Sequence, residues 1–355
     1  MLIIRADGNA KIGAGHLMRC LSIADAVRGL EILFLCADED SAKLVHDRGY
    51  RAGVLNMVQS ELEVNGDVKT GLEFGMEAEL QSSMRGGWCA WDQWIQGSDH
   101  TILVDNYAVT DTYLEKLHRY GKVFLLDDMQ QAAYPVDGVI NYNVFADVEL
   151  YRRLYAGRQT ECYLGAQYTP LREQFWRAEY EIRPEVRQVL LTTGGGDVDN
   201  IAGQILDEIY VPEVIYHVLV GRFSPHFAKW QERMRLQPNV QVHYDVQDMA
   251  GMMRVCDLAV TAGGSTVYEL AAVGVPFICF SYAENQEALV EHVGRTQTAA
   301  SAGAWHRDRI GCIRRIKTFF EALREEYILR VQYFENERNM TDGKGAVRLA
   351  RILEG

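Results

Sequence analysis

The 355-residue sequence predicts an α/β protein made of two parallel-sheet domains. Three observations carry this prediction. Short apolar runs recur with helix-length spacers between them, the spacing expected of parallel strands joined by crossover helices. The runs fall into two sets. "LIIRA", "EILFLCA", "AGVLNM", "HTILVDNY", "KVFLLDD" and "GVINYN" precede Pro184; "RQVLLTTGGG", "EVIYHVLVG", "NVQVHYDV", "LAVTAGG" and "PFICFSYA" follow it. The chain is also too long for one ordinary core. Each set reads as one doubly wound, Rossmann-like domain. The expected divisions are residues 1–178, residues 186–335, and a closing segment 336–355. The charged stretch "WRAEYEIRPEV" is the expected linker. The pattern from Asp308 to Met340 is helical, and "KGAVRLARIL" forms a last helix that is free to pack back on the first domain.

Composition narrows the function. Apolar residues make up 48% of the chain, enough for sizeable cores, and the formal charge is −13. Such a surface is poorly suited to nucleic acid or anionic lipid, so any phosphate site must be local. The seven cysteines show no C-x-x-C pair and read as buried thiols, neither a disulfide frame nor a zinc site. No signal-peptide pattern or membrane-length apolar run is visible, which predicts a cytoplasmic protein without membrane contact.

Ligands of open parallel sheets sit beyond the carboxyl ends of the strands. Two such domains facing each other are expected to form a cleft, and the residues that follow strands are the candidates. The first is "AKIGAGHLMRC", where Gly13 and Gly15 precede His16 at a strand-to-helix turn. A lone histidine is more often structural. This one stands where a ligand would be met, and the positive end of the following helix disfavours the imidazolium. A neutral imidazole takes a proton from water. Asp7 and Asn9 are close enough in sequence to orient it. The Gly-x-Gly run lacks the third glycine and downstream acid of a dinucleotide fingerprint, so NAD is set aside.

"VDNYAVT" and "LLDDMQ" place Asp105, Asn106, Tyr107, Asp127 and Asp128 after strands. No D-x-D spacing or histidine partner supports a metal. Asp105, Tyr107 and Asp127 are candidate substrate contacts, with capping and structural roles as the alternative. "TTGGGDVDN" either brings backbone donors around Gly195 to the ligand or is a plain glycine turn. In "TAGGSTVYELAAVGVP", Gly263 and Gly264 allow a tight turn. Ser265 and Thr266 cap the next helix, whose free N–H groups suit a diphosphate. Glu269, one turn on from Ser265, can accept two hydrogen bonds from a ribose diol; a solvated helix acid is the bland reading. In "SYAENQ", Asn285 and Gln286 either contact sugar hydroxyl or acetamido groups or simply cap a helix.

Taken together, these stretches resemble the UDP-sugar hydrolases of pseudaminic acid biosynthesis and their spore-coat polysaccharide relatives. The matching pieces run the length of the chain: "RADGNAKIGAGHLMRCLSIA", "VDNY", "LLDD", "LGAQYTPLREQF", "GGGDVDN", "TAGGSTVYELAAVGVP", "ENQ" and "TDGKGAVRLARIL". That family is similar to B-type glycosyltransferases, so the resemblance implies their two-domain fold. It implies a UDP-sugar substrate held mainly by the second domain, His16 as the base that activates water, and release of UDP. Gly264, Ser265 and Thr266 match the phosphate loop, Glu269 the ribose acid, and the backbone at Val246 the uracil turn. It implies no metal and no cofactor. The chain departs from the family pattern at "DDMQQAAYPVDGVINYN" and "GGGD", which leaves the exact sugar open. Two rivals stand beside a hydrolase: a glycosyltransferase in which His16 deprotonates an acceptor hydroxyl, and a non-catalytic UDP-sugar binding protein. The oligomeric state is left open.

Overall fold

The computed structural model describes residues 1–8, 15–55, 89–107, 109–176, 179–194, 197–221, 224–244 and 246–355. The chain divides into two compact units: residues 1–170 with 346–355, and residues 171–345.

Unit 1 carries strands β1 (Leu2–Ala6), β2 (Ile32–Cys36), β3 (Arg51–Val54), β4 (His100–Asp105), β5 (Gly121–Leu126), β6 (Gly138–Asn141) and β7 (Glu161–Leu164). They form one sheet in the order β3-β2-β1-β4-β5-β6-β7, with every pairing parallel. Strands covered on both faces read as continuous apolar runs. Accordingly Leu2, Ile3 and Ile4 are fully buried, as are Ile102, Leu103 and Val104 beside them. The helix Gly345–Glu354 belongs to this unit. Glu354 Oε1 accepts from the backbone N–H groups of Arg28 and Gly29 at 2.7 Å, and Arg348 donates to the Gln167 carbonyl at 3.0 Å.

Unit 2 carries β8 (Gln188–Thr192), β9 (Ile215–Val220), β10 (Val240–Tyr244), β11 (Leu258–Ala262), β12 (Phe277–Ser281) and β13 (Ala300–Ala304). Their order is β10-β9-β8-β11-β12-β13, again all parallel. The stretch expected to be a linker is bonded into this unit. Tyr180 donates to the Cys256 carbonyl at 3.0 Å, and Arg183 pairs with Asp257 at 2.6 Å. The long helical pattern near the end splits into Arg309–Glu325 and Tyr327–Met340 at the extended residue Glu326. Buried Arg330 fixes that break, donating to the carbonyls of Leu323, Arg183 and Pro184.

Both sheets reverse their direction of strand addition once. In unit 1 the reversal lies between β1 and β4, in unit 2 between β8 and β11. At such a switch point the connections leave toward opposite faces, and a crevice opens beyond the carboxyl ends of the two strands.

Candidate functional site

In unit 1 the switch point gathers the histidine and its partners. His16 is the second residue of the helix Gly15–Ala26 that follows β1, while Asp105 is the last residue of β4 and lies in register with Ala6. His16 Nδ1 is 2.7 Å from Asp105 Oδ1, with side chains 17% and 1% exposed. Burial alone pushes the Asp105 carboxyl up, but the Arg19 guanidinium and the His16 ring outweigh it and hold the group at about 2. An ionised carboxylate only accepts hydrogen bonds. Arg19 Nη2, a donor only, also lies 3.1 Å from Nδ1, but the shorter contact with the carboxylate is made with the ring hydrogen on Nδ1, which in the neutral ring leaves Nε2 without a partner among the described residues.

Arg19 stands three residues after His16, on the same helix face. Its Nε and Nη2 donate to the two oxygens of Asp105 at 2.6 and 2.5 Å. Its Nη1 donates to Asp128 at 2.6 Å and to the Tyr142 hydroxyl at 2.7 Å. Tyr107, 47% exposed, sets its ring edge-to-face on His16 at 4.6 Å between centroids and donates its hydroxyl to Asp128 at 3.0 Å.

The carboxylate on His16 is thus Asp105, where sequence proximity pointed to Asp7. Asp7 is used to close the sheet end, accepting from Arg5 at 2.7 Å and from the Ala37 N–H at 2.7 Å. Asn9 and Gly13 lie outside the described residues. Gly15 opens the helix, and a Cβ built on it meets nothing within 4 Å. Of the acid pair after β5, Asp127 is tied to the fold. It accepts from the N–H groups of Met129 and Gln130 and, through its other oxygen, from the Tyr151 hydroxyl at 2.6 Å. Asp128 is the acid that turns to Arg19. Arg19 and Tyr142 were missed. Their signals were the i, i+3 spacing from His16 and a position directly after a strand.

In unit 2, β8, β11 and β12 end side by side. The helix Ser265–Val273 begins just past β11, with Gly264 as its N-cap in an extended conformation and no side-chain cap. Ser265 and Thr266 therefore occupy the first turn and do not cap it as expected. Gly264 takes the cap position, which leaves the first N–H groups without a side-chain partner. A Cβ built on Gly264 meets nothing within 4 Å, whereas one on Gly263 lies 2.7 Å from Val290 Cγ2. Beside these residues, Thr193 Oγ1 and Ser281 Oγ are buried with no hydrogen-bond partner among the described residues. Buried hydroxyls are ordinarily satisfied, so this pair at the sheet's carboxyl edge has hydrogen-bonding capacity to offer a ligand or a water. Both residues stand at strand ends, a position that could have drawn attention to them.

Glu269 faces Arg172, whose Nη2 donates to its Oε1 at 3.0 Å. Burial pushes the Glu269 carboxyl up and Arg172 opposes that rise. One oxygen of the acid assigned to a ribose is thus already in use. Gly195 lies outside the described residues; Asp197 beside it caps the helix Ile201–Ile209 through the N–H groups of Ile201 and Ala202. Gln286 Oε1 accepts from the Tyr282 N–H at 3.0 Å, and Asn285 is exposed and caps nothing. Val246 is half-buried after β10.

No family model matches the chain. Over 99% of its length it is 24% identical to the spore coat polysaccharide biosynthesis protein SpsG of Bacillus subtilis, covering 97% of that protein. Over 53% of its length it is 25% identical to the UDP-2,4-diacetamido-2,4,6-trideoxy-beta-L-altropyranose hydrolase of Campylobacter jejuni, covering 68% of that protein. The chain is similar to a UDP-sugar hydrolase. Among solved structures, MurG of Acinetobacter baumannii matches with a TM-score of 0.64 at 13% identity, over 99% of both chains. The fold is that of the B-type glycosyltransferases. Among the described residues no helix is long and apolar enough to cross a membrane.

Proposed function

We propose that the protein hydrolyses a UDP-linked deoxy-diacetamido sugar, UDP-2,4-diacetamido-2,4,6-trideoxy-beta-L-altropyranose or a close relative, to UDP and the free sugar. The observation that carries this reading is His16 at the unit 1 switch point, held through Nδ1 by an ionised, buried Asp105 and keeping Nε2 open. In this reading Nε2 takes a proton from water as the water oxygen bonds to the anomeric carbon. The bond from that carbon to the diphosphate oxygen breaks, and UDP leaves with the electron pair. His16 then returns its proton to solvent.

The leaving diphosphate gains charge as the bond breaks, so donors aimed at it stabilise the transition state. Unit 2 offers the uncapped N–H groups at Ser265 and Thr266, with the hydroxyls of Thr193 and Ser281 beside them. Glu269 is assigned to the ribose through the oxygen that Arg172 leaves open, and the backbone at Val246 to the uracil. Asn285, Gln286, Tyr107 and the backbone near Gly13, Gly15 and Gly195 are assigned to the sugar and its phosphates. No metal is required, since backbone dipoles carry the charge.

The test is incubation with a panel of UDP-sugars in water, with and without EDTA and without any acceptor, following UDP release. Turnover of a diacetamido sugar that EDTA leaves unchanged is expected. The fold likeness to B-type glycosyltransferases favours a second reading, in which an acceptor hydroxyl replaces water; release of UDP only when an acceptor is added would select it. Binding without release under either condition would leave a UDP-sugar binding protein.

A further inference from the structure

We propose that Arg19 is a positioning residue for His16: by gripping both oxygens of Asp105 it keeps that carboxylate an acceptor, so that His16 carries its hydrogen on Nδ1 and presents Nε2. This rests on the reading of His16 as the base. Asp105 is 1% exposed, and a carboxyl so placed would otherwise be driven toward its neutral form. A neutral carboxyl can donate its hydrogen to Nδ1. The ring would then carry its own hydrogen on Nε2, and the base nitrogen would be lost. The grip that prevents this is a fork, with Nε on one oxygen and Nη2 on the other.

The guanidinium is itself fixed. Nη1 donates to Asp128 and to Tyr142, whose ring centroid lies 5.4 Å from the guanidinium carbon. Four of its five donor hydrogens are therefore directed by three different strand ends, while Nη2 also lies 3.1 Å from His16 Nδ1, a contact that is not a hydrogen bond when Nδ1 carries the ring hydrogen. A lysine has three donors on a point charge and no planar fork, so it cannot hold both Asp105 oxygens and Asp128 together. The groups around the pair are Asp105 at the end of β4 and Tyr107 after it, Asp128 after β5, Tyr142 after β6, and Cys20, whose thiol donates to Asp105 at 3.5 Å. Burial pushes that thiol well up, so it stays protonated and contributes no charge.

The test uses the full chain labelled with 15N at histidine. Ring nitrogen–proton spectra are recorded at mildly alkaline pH for wild type, Arg19→Lys and Arg19→Gln, with His16→Asn assigning the His16 signals. Wild-type His16 is expected to be the Nδ1–H form. Arg19→Gln is expected to shift it to the Nε2–H form that a free histidine side chain favours, and Arg19→Lys to a mixture. With a UDP-sugar that is turned over, kcat in Arg19→Gln is expected to fall roughly 10²–10⁴-fold with little change in KM. An unchanged His16 tautomer in both variants overturns the proposal. So does an Arg19→Lys protein that fails to fold, because Arg19 would then serve the fold and not the ring. The tautomer readout needs no substrate, so failure of the hydrolase reading and failure of this proposal are separately visible.

Discussion

At Asp105, burial and charge pull in opposite directions. Burial favours the neutral acid, Arg19 and His16 favour the ion, and the ion wins at about 2. The folded carboxyl therefore binds its proton less tightly than the unfolded one, whose ordinary value is 3.8. The stability this supplies is fully present above 3.8 and is lost as pH falls toward 2, with a magnitude on the order of 2 kcal/mol. Denaturant titrations at stepped pH should show this acid limb in wild type and its loss in Asp105→Asn. Parallel curves for the two proteins would mean that Asp105 is not held as an ion. At this scale the sequence was legible for the place of His16, at the start of the helix that follows the first strand. It was not legible for the partner of that histidine. Asp7 is nine residues from His16 and Asp105 eighty-nine. Only the pairing of β1 with β4 makes the distant acid the near one.

At the start of the helix Ser265–Val273, two adjacent glycines do different work. Gly263 passes under Val290 and Gln286, where a built Cβ lies 2.7 and 3.2 Å from their side chains. Gly264 has an extended backbone that any residue adopts and open space where its Cβ would be. Gly263→Ala should therefore cost about 1–3 kcal/mol of stability through overpacking. Gly264→Ala should keep the melting temperature but place a methyl before the uncapped N–H groups, weakening UDP roughly tenfold, about 1.4 kcal/mol. Thermal melts and calorimetric UDP titration of both variants check this. A Gly264→Ala protein that binds UDP as wild type would remove the phosphate site from this helix. The central strands were legible as apolar runs, but β7 and β13 were not. β13 reads "ASAGA", with none of the β-branched or aromatic residues that mark strands. It is a strand because β12 offers it a parallel edge, with the register shifting between Cys279 and Ser281.

Across the whole molecule, the two sheets repeat one plan: each reverses its strand order once and places candidate residues at the reversal. In unit 1 these are His16 after β1 and Asp105 at the end of β4; in unit 2 they are Thr193 after β8 and Gly263–Gly264 after β11. The alternation of strands and helices made the fold class legible, because a parallel sheet requires crossovers. Which strand ends become neighbours depends on strand order, which periodicity does not encode. That is why position along the chain does not separate Asp128 from Asp127, and does not single out Arg19 and Tyr142. The measurement closest to the central claim compares wild type with His16→Asn, following UDP release from a UDP-diacetamido sugar in water alongside calorimetric UDP binding. The account predicts a folded variant whose UDP affinity is unchanged within about 2-fold and whose kcat falls roughly 10²–10⁴-fold. A folded His16→Asn protein that releases UDP at near the wild-type rate would contradict it.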